Sequence, residues 1–392
     1  MMWLIIKVFL GLVFLLFAFA ALLNLITAVA SFKKPKKYKS FLPRVSLLFK
    51  TWNDGPVVER KIKNALELDY PKEKYEIIIA DNASSDQTER ICRKYEKQGK
   101  IKYFRVDKEL PEFRNRGQLL DNAIKQCATG EIIVETDIDG ICSRNWLREM
   151  VKPYADPGIK AVTGPVMCGN WAQSWLTRIR ALEDFWFFCT SMYGRFRLTG
   201  QGFLYGGCKS YRKSVLDEVG GHGNQTLVED AELAGQILEH RGRIAVVDAA
   251  PVIQEEVASL KQYFDERKRW IEGDLDFSKK YSKQLLMSKK NALVFSANFT
   301  WDAIFLLSLL LLPLSSFFAV PIALNYSALL LGLIKLKAKS TFYLWSAPYI
   351  ILGPALQFLA LFAVYKDRLL IGGIRWKKIW HSSVELTYPV SK

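Results

Sequence analysis

Glu131-Ile132-Ile133-Val134-Glu135-Thr136-Asp137-Ile138-Asp139 is the stretch on which the fold turns. Its apolar centre, Ile132 to Val134, is short and β-branched, which suits a buried strand and is too brief for a helix. The run then stops on two carboxylates, Asp137 and Asp139, one residue apart. In open α/β sheets ligands gather beyond the carboxyl ends of the strands, so the place of this acidic pair matters as much as its composition.

Outward from it the same alternation recurs. Upstream, Val45-Ser46-Leu47-Leu48-Phe49 reads as a first strand, and Asn53-Asp54-Gly55-Pro56 as a turn opening a helix to about Leu68. Tyr75 to Ala80 reads as the second strand, ending at Asp81, with a helix from Gln87 to about Gln98. Ile101 to Val106 is a third strand, Gly117 to Ala128 a helix, and the opening stretch the fourth strand. Apolar strands separated by amphipathic helices predict an α/β domain with a mostly parallel sheet covered on both faces.

Several side chains carry possible chemistry. Carboxylates on alternate residues at a strand end can share a hard cation and through it a diphosphate; a solvated acidic turn is the plainer reading. Asp81 can accept a hydrogen bond from a nucleobase N–H or close an Asx-type turn, whereas Asp86 suits a helix cap. Glu229-Asp230 opens a helix, where a carboxylate serves as a dipole partner or, at the mouth of a cleft, as a base toward a hydroxyl. Glu266-Arg267-Lys268-Arg269-Trp270 lies in an amphipathic stretch, suited to a membrane interface and to an arginine gripping a diphosphate. The aromatics from Trp171 to Phe203 read as core or interfacial belt, with an acceptor groove as the alternative. His222 reads as a loop residue rather than a metal ligand.

The flanks belong to a membrane. Val8 to Ala30 carries no charge and is long enough to span. The lysine cluster at residues 33–39 resists translocation, which predicts an uncleaved anchor with the following domain in the cytoplasm. A second apolar block, about Ala303 to Ile334, is broken by Pro313 and Pro321 and too long for one straight span, so it reads as two helices or as one helix plus a re-entrant piece; a third runs from about Tyr343 to Val364 and precedes a basic tail. A cytoplasmic tail needs an even number of crossings after the soluble domain, and three apolar helices there break that rule, so three or four spans in total are expected. The chain has 392 residues, half of them hydrophobic, with net charge +16. That charge flanks apolar runs rather than forming a stripe interleaved with aromatics, which argues for a lipid surface and against nucleic acid. The six cysteines form no C-x-x-C pair and fit buried thiols in a reducing compartment.

In their order, Asp81, Asp137/Asp139, Tyr205-Gly206-Gly207-Cys208, Val228-Glu229-Asp230 and Glu266 to Trp270 resemble the motif series of the family 2 inverting glycosyltransferases. The likeness is to the membrane-integrated branch that includes cellulose, chitin and hyaluronan synthases, and it covers roughly residues 43–283. It implies a GT-A fold and an in-line displacement that inverts the anomeric carbon. It implies Asp230 as catalytic base, and Asp139 with Asp137 holding Mg2+ or Mn2+ on the diphosphate. Asp81, Asp137, Gly206, Gly207, Glu229, Arg267, Arg269 and Trp270 are then the substrate-binding residues. The implied partners are a nucleotide-sugar donor (UDP by family habit), a glycan or lipid-linked acceptor and membrane lipid, with no nucleic acid. Domain organisation follows: an anchor at 1–32, a cytoplasmic GT-A domain at 43–256, interfacial helices at 257–298, a membrane region at 299–365 and a basic tail at 366–392. Glu266 stands where the family has glutamine, Gln118 where many relatives carry lysine, and Val228 in place of threonine. The rival readings are a single-addition transferase on a lipid-linked glycan, and a non-catalytic nucleotide-binding scaffold. A transporter would need charges lining a path through the membrane, and the apolar blocks hold almost none.

Overall fold

The structure, a computed structural model, describes residues 2–110, 116–223, 228–248, 251–286, 307–371, 381 and 383–390. Its centre is a seven-stranded sheet in the order β3-β2-β1-β4-β7-β5-β8. Strands β1 (Val45–Thr51), β2 (Tyr75–Asp81), β3 (Lys102–Arg105) and β4 (Ile132–Thr136) run parallel, in a register that sets Leu47 against both Ile77 and Val134. β5 (Ile159–Thr163) and β8 (Arg243–Val246) pair in parallel with each other. Between β4 and β5, β7 (Cys208–Arg212) is inserted antiparallel to both. β6 (Val166–Cys168) and β9 (Val252–Gln254) form a separate two-stranded ribbon.

Side-chain alternation divides these strands between two cores. Leu47, Ile77, Ile79 and Val134 join one core, and Leu48, Ile78, Ala80 and Ile133 the other. Near-continuous apolar strands are therefore buried on both faces, as the sequence pattern requires of a parallel sheet. Helices α2 (Gly55–Leu66), α3 (Thr88–Lys97), α4 (Arg116–Cys127), α5 (Trp146–Val151), α8 (Lys213–Val219) and α9 (Glu229–Glu239) belong to the same domain. The turn into α2 holds Asn53 at φ 53°, and the Asp86 carboxylate caps α3 by accepting from the Thr88 N–H at 2.9 Å.

The aromatic region becomes α6 (Trp175–Phe187), a π-helical turn (Phe188–Gly194) and α7 (Arg195–Thr199), and most of its rings are core. The amphipathic stretch is α10 (Leu260–Leu286). Among the described residues three helices are long and apolar enough to cross a membrane, and the chain is a membrane protein: α1 (Met2–Ala30), α11 (Ala319–Lys335) and α12 (Thr341–Ile371). α1 and α11 run side by side in the same direction. Phe17 packs edge-on to Phe318, the Asn24 side chain donates to that of Asn325 at 3.0 Å, and Lys335 lies over the Phe32 ring. The second apolar block turns at Leu311 to Ser315 before entering α11; its first part lies outside the described residues.

Candidate functional site

A cavity of about 660 Å³ opens at the carboxyl ends of β1 and β4 and extends to the membrane helices. Asp137 and Asp139 enter it directly after β4. Asp139 is buried; its carboxylate accepts from the Glu255 N–H at 2.8 Å, with the His381 ring 3.8 Å away. Burial raises the Asp139 pKa, and the charge of Asp137 adds to the rise despite His381. No three His, Cys, Asp or Glu side chains among the described residues close around a metal. Two carboxylates facing a cavity instead match the donor set of a cation that takes most of its remaining ligands from phosphate and water.

Across the cavity, the first turn of α9 presents Glu229 and Asp230. Glu229 is buried between two ammonium groups, Lys50 at 2.5 Å and Lys209 at 3.8 Å. Lys50 also approaches Asp137 at 3.6 Å, so one lysine ties the two acidic elements together. Lys209, with no exposed surface, lies 3.3 Å from Glu135. Burial opposes the Glu135 charge, yet Lys209 and the hydrogen-bonded His222 hold its pKa down at about 2. Asp230 is the opposite case. Burial and the neighbouring Glu229 raise its pKa, outweighing Lys209 and Lys50. Facing it, Asp274 of α10 is pushed up to about 7 by burial and by Asp230 itself. A carboxylate that is destabilised when charged has the proton affinity of a base.

The loop before β7 explains its small residues. A Cβ on Gly206 would stand 3.1 Å from an Asp230 oxygen, and one on Gly207 would meet the Gln254 side chain at 2.9 Å. α10 adds Glu266, Arg267, Arg269, Trp270 and Asp274 to the wall. Arg267 pairs with Glu183 of α6, and its guanidinium lies 4.6 Å from the Trp270 ring centre. Arg180, buried on α6, pairs with Glu183 and, at 2.8 Å, with Glu256, and approaches the same ring at 5.4 Å. Two guanidinium groups thus lie within cation–π reach of Trp270. Burial and Glu256 push Glu266 up to about 8. At neutral pH it is a protonated acid with an O–H to donate, which reproduces the donor capacity of the glutamine it replaces.

Asp81 sits apart from the other candidate site residues. Asp81 does not reach the cavity: it has no exposed surface, and its carboxylate accepts from the Ser84 N–H at 3.0 Å and from the Tyr103 hydroxyl, with Arg105 at 3.7 Å. Burying a carboxylate demands that its lone pairs be filled locally, and here the turn after β2 fills them. Its neighbour Asn82 lines the cavity instead. His222 is also more than a loop residue. It is buried, with Nδ1 2.5 Å from Asp121 and Nε2 2.8 Å from the Tyr211 hydroxyl, and braces Glu135 from behind. Sequence reasoning passed over Arg180, Glu183 and Asp184, although three charges within one aromatic helix were a usable signal. Lys50, His381, Tyr349 and Gln357 also line the cavity and gave no such signal.

A mixed sheet of this order with acidic motifs at its strand ends is a GT-A arrangement, and the comparisons agree. Residues 46–220 match the family model described as Glycosyl transferase family 2. The "Probable glycosyltransferase YdaM" of Bacillus subtilis is 24% identical over 266 residues, covering 68% of this chain and 63% of that protein. The beta-monoglucosyldiacylglycerol synthase of Trichormus variabilis is 27% identical over 295 residues, covering 72% and 60%. The chain therefore spans about three fifths of the length of these relatives. Among solved structures, the mannosyltransferase PcManGT from Pyrobaculum calidifontis, in complex with GDP-Man and Mn2+, has a TM-score of 0.60 at 23% identity. It covers 91% of this chain and 98% of that one, and the likeness is one of fold.

Proposed function

We propose that this chain is a membrane-bound inverting glycosyltransferase that moves a sugar from a nucleotide-diphosphate sugar to an acceptor hydroxyl at the membrane surface. One observation carries the reading: Asp137, Asp139 and Asp230 face a single cavity, joined through Lys50 and Glu229. Asp230 takes the proton of the attacking hydroxyl as its oxygen bonds to the anomeric carbon and the bond from that carbon to the diphosphate breaks. Gly206 and Gly207 leave room for the sugar beside Asp230. Glu229 fixes Lys50 near the acidic pair, and Arg267 and Arg269 meet the diphosphate and the acceptor end, with Trp270 as a flat wall for a sugar ring. Asp137 and Asp139 are the residues that would hold a divalent cation, Mg2+ or Mn2+, which would supply charge neutralisation for the diphosphate leaving group.

The acceptor class follows from the far wall. Tyr349 and Gln357 of α12 close the cavity on its membrane side, which favours an acceptor with an apolar portion, such as a glycolipid or lipid-linked glycan. A relative named for making a glucosyldiacylglycerol is consistent with that. UDP and GDP sugars are both candidate donors, GDP-mannose being the ligand of the structural neighbour. The lysines at residues 33–39, on the domain side of α1, support a cytoplasmic domain within 43–256.

A donor screen on detergent-solubilised protein tests this. Nucleotide release should require Mn2+ or Mg2+ and fall to background in Asp139→Ala and with EDTA. Release that persists in both would remove the acidic pair from the reaction.

A further inference from the structure

By length and composition α12 is a membrane span, yet its contacts are those of a helix laid against a soluble domain. We propose that α12 does not cross the bilayer. It lies along the bilayer surface as an interfacial wall, with one face on the glycosyltransferase domain and the other in lipid.

The buried face is continuous. Phe342, Ser346, Tyr349, Leu356, Ala360 and Val364 are buried at helical spacing. From Phe342 to Arg368 the helix runs roughly 40 Å, and domain elements meet it all the way. Near its start Phe342 packs against Trp171 and Phe185 at 5.2 and 5.1 Å, and the Arg178 guanidinium lies 5.1 Å from the Trp345 ring. At its middle Gln357 donates to Glu183 at 3.4 Å. Near its end Asp367 pairs with Lys268 at 2.7 Å, and Arg368 with Glu272 at 2.8 Å and Asp276 at 3.2 Å. A helix crossing a hydrocarbon core about 30 Å thick meets a soluble domain at one end only. Here charged side chains of α6 and α10 meet both ends and the middle, and such charges do not belong inside lipid.

The occupant of the other face is argued from that face. Leu344, Ile351, Phe358, Phe362 and Leu369 are exposed along it. α11 adjoins the first half of the helix at its buried face, through a 2.9 Å contact between the Tyr326 and Ser346 hydroxyls. Lysines at 337, 339 and 366 flank it, placed for anionic headgroups.

Chain direction supports the same topology. α1 and α11 both deliver their C-terminal ends to the domain, Ser31 beside Cys189 and Lys335 3.7 Å from Asp248. Leu311 sits at the far end with Phe17 and Phe318, while Tyr281 of α10 is buried against α9. α11 therefore runs from the far side of the bilayer to the domain, and α12 begins at Thr341 on the domain side. An α12 that starts there and stays at the surface keeps residues 383–390 on the domain side as well. Residues of the tail touch the domain, the Thr387 N–H donating to Gly169 at 2.8 Å and the Ser383 N–H to the Glu255 carboxylate at 3.1 Å, while the Lys339 N–H, just before α12, donates to Pro389 at 3.1 Å. The parity conflict of three apolar helices after the domain disappears.

The test uses the full chain in sealed vesicles and needs no activity. Single spin labels at Leu344→Cys, Leu352→Cys, Leu359→Cys and Leu369→Cys, all exposed positions, report depth. A tag after Lys392 reports sidedness through protease access. An interfacial helix gives four shallow depths and a tag cleaved from the same side as the catalytic domain. A depth profile that peaks at the bilayer centre for Leu352 and Leu359, or a tag on the opposite side from the domain, overturns the proposal. The sidedness readout uses the unsubstituted chain, so a variant that fails to insert does not spare the proposal.

Discussion

Replacing Asp230 by asparagine should lower turnover and raise stability together, and both signs follow from the same geometry. Asp230 lies in the first turn of α9, with Glu229 beside it, Asp274 facing it and Gly206 close enough to leave only van der Waals space. Burial and Glu229 raise its folded-state pKa above the ordinary carboxylate value. A raised pKa means that the folded state prefers the protonated side chain. The stability this contributes is fully present below the unfolded pKa and is lost as pH rises through the folded one. At neutral pH the charged carboxylate is thus a liability to the fold that the amide, equal in size, does not carry. For the reaction the same change removes the group that accepts the hydroxyl proton. General-base catalysis contributes about 10²- to 10⁴-fold, or roughly 3 to 5 kcal/mol of barrier at 1.36 kcal/mol per tenfold. The assay pairs steady-state nucleotide release with an acceptor present and denaturant unfolding in the same detergent. Expected are a rate reduced by about two to four orders of magnitude, unchanged donor affinity and a midpoint at or above that of the parent. Full turnover with a lowered midpoint would show that Asp230 is a structural cap and would refute its role as base.

Glu266→Gln should be active at neutral pH, because Glu266 is already protonated there, and should diverge above it. The parent loses the O–H donor as pH rises through about 8, so its pH–rate profile falls on the alkaline side where the glutamine variant stays flat; identical profiles would sink the reading. Lys209→Met strips the ammonium that Glu135 and Glu229 share in the buried network. Leaving buried carboxylates uncompensated costs about 3–5 kcal/mol, to be read as a shift in denaturant midpoint at unchanged slope. Gly194→Ala would place a Cβ 1.9 Å from the Thr27 carbonyl oxygen of α1. The backbones must separate, at about 1–3 kcal/mol or more, seen as a lower melting temperature in detergent; an unshifted value would show that α1 does not pack here as closely as the structure has it.

What the sequence made legible was whatever has a local cause. The strand at Ile132 to Val134 is set by side-chain alternation over a few residues, and the acidic pair follows by chain continuity, so both could be read directly. Gly206 and Gly207 were legible only as small residues in a motif; that their size keeps space beside Asp230 and Gln254 depends on chain segments more than twenty residues away. The surroundings of Asp81 have the same origin. A carboxylate at a strand end faces the ligand side by topology, yet whether it points outward depends on the Tyr103 hydroxyl, which arrives on the neighbouring strand β3. Electrostatic sign was least legible of all. Glu229 and Asp230 are adjacent acids, and nothing local distinguishes them. Lys50 and Lys209, from β1 and β7, occupy Glu229 in ion pairs, while burial and the neighbouring Glu229 raise the proton affinity of Asp230. Two adjacent acids thereby acquire different tasks, one structural and one suited to a base, and the difference is made by lysines that no motif contains.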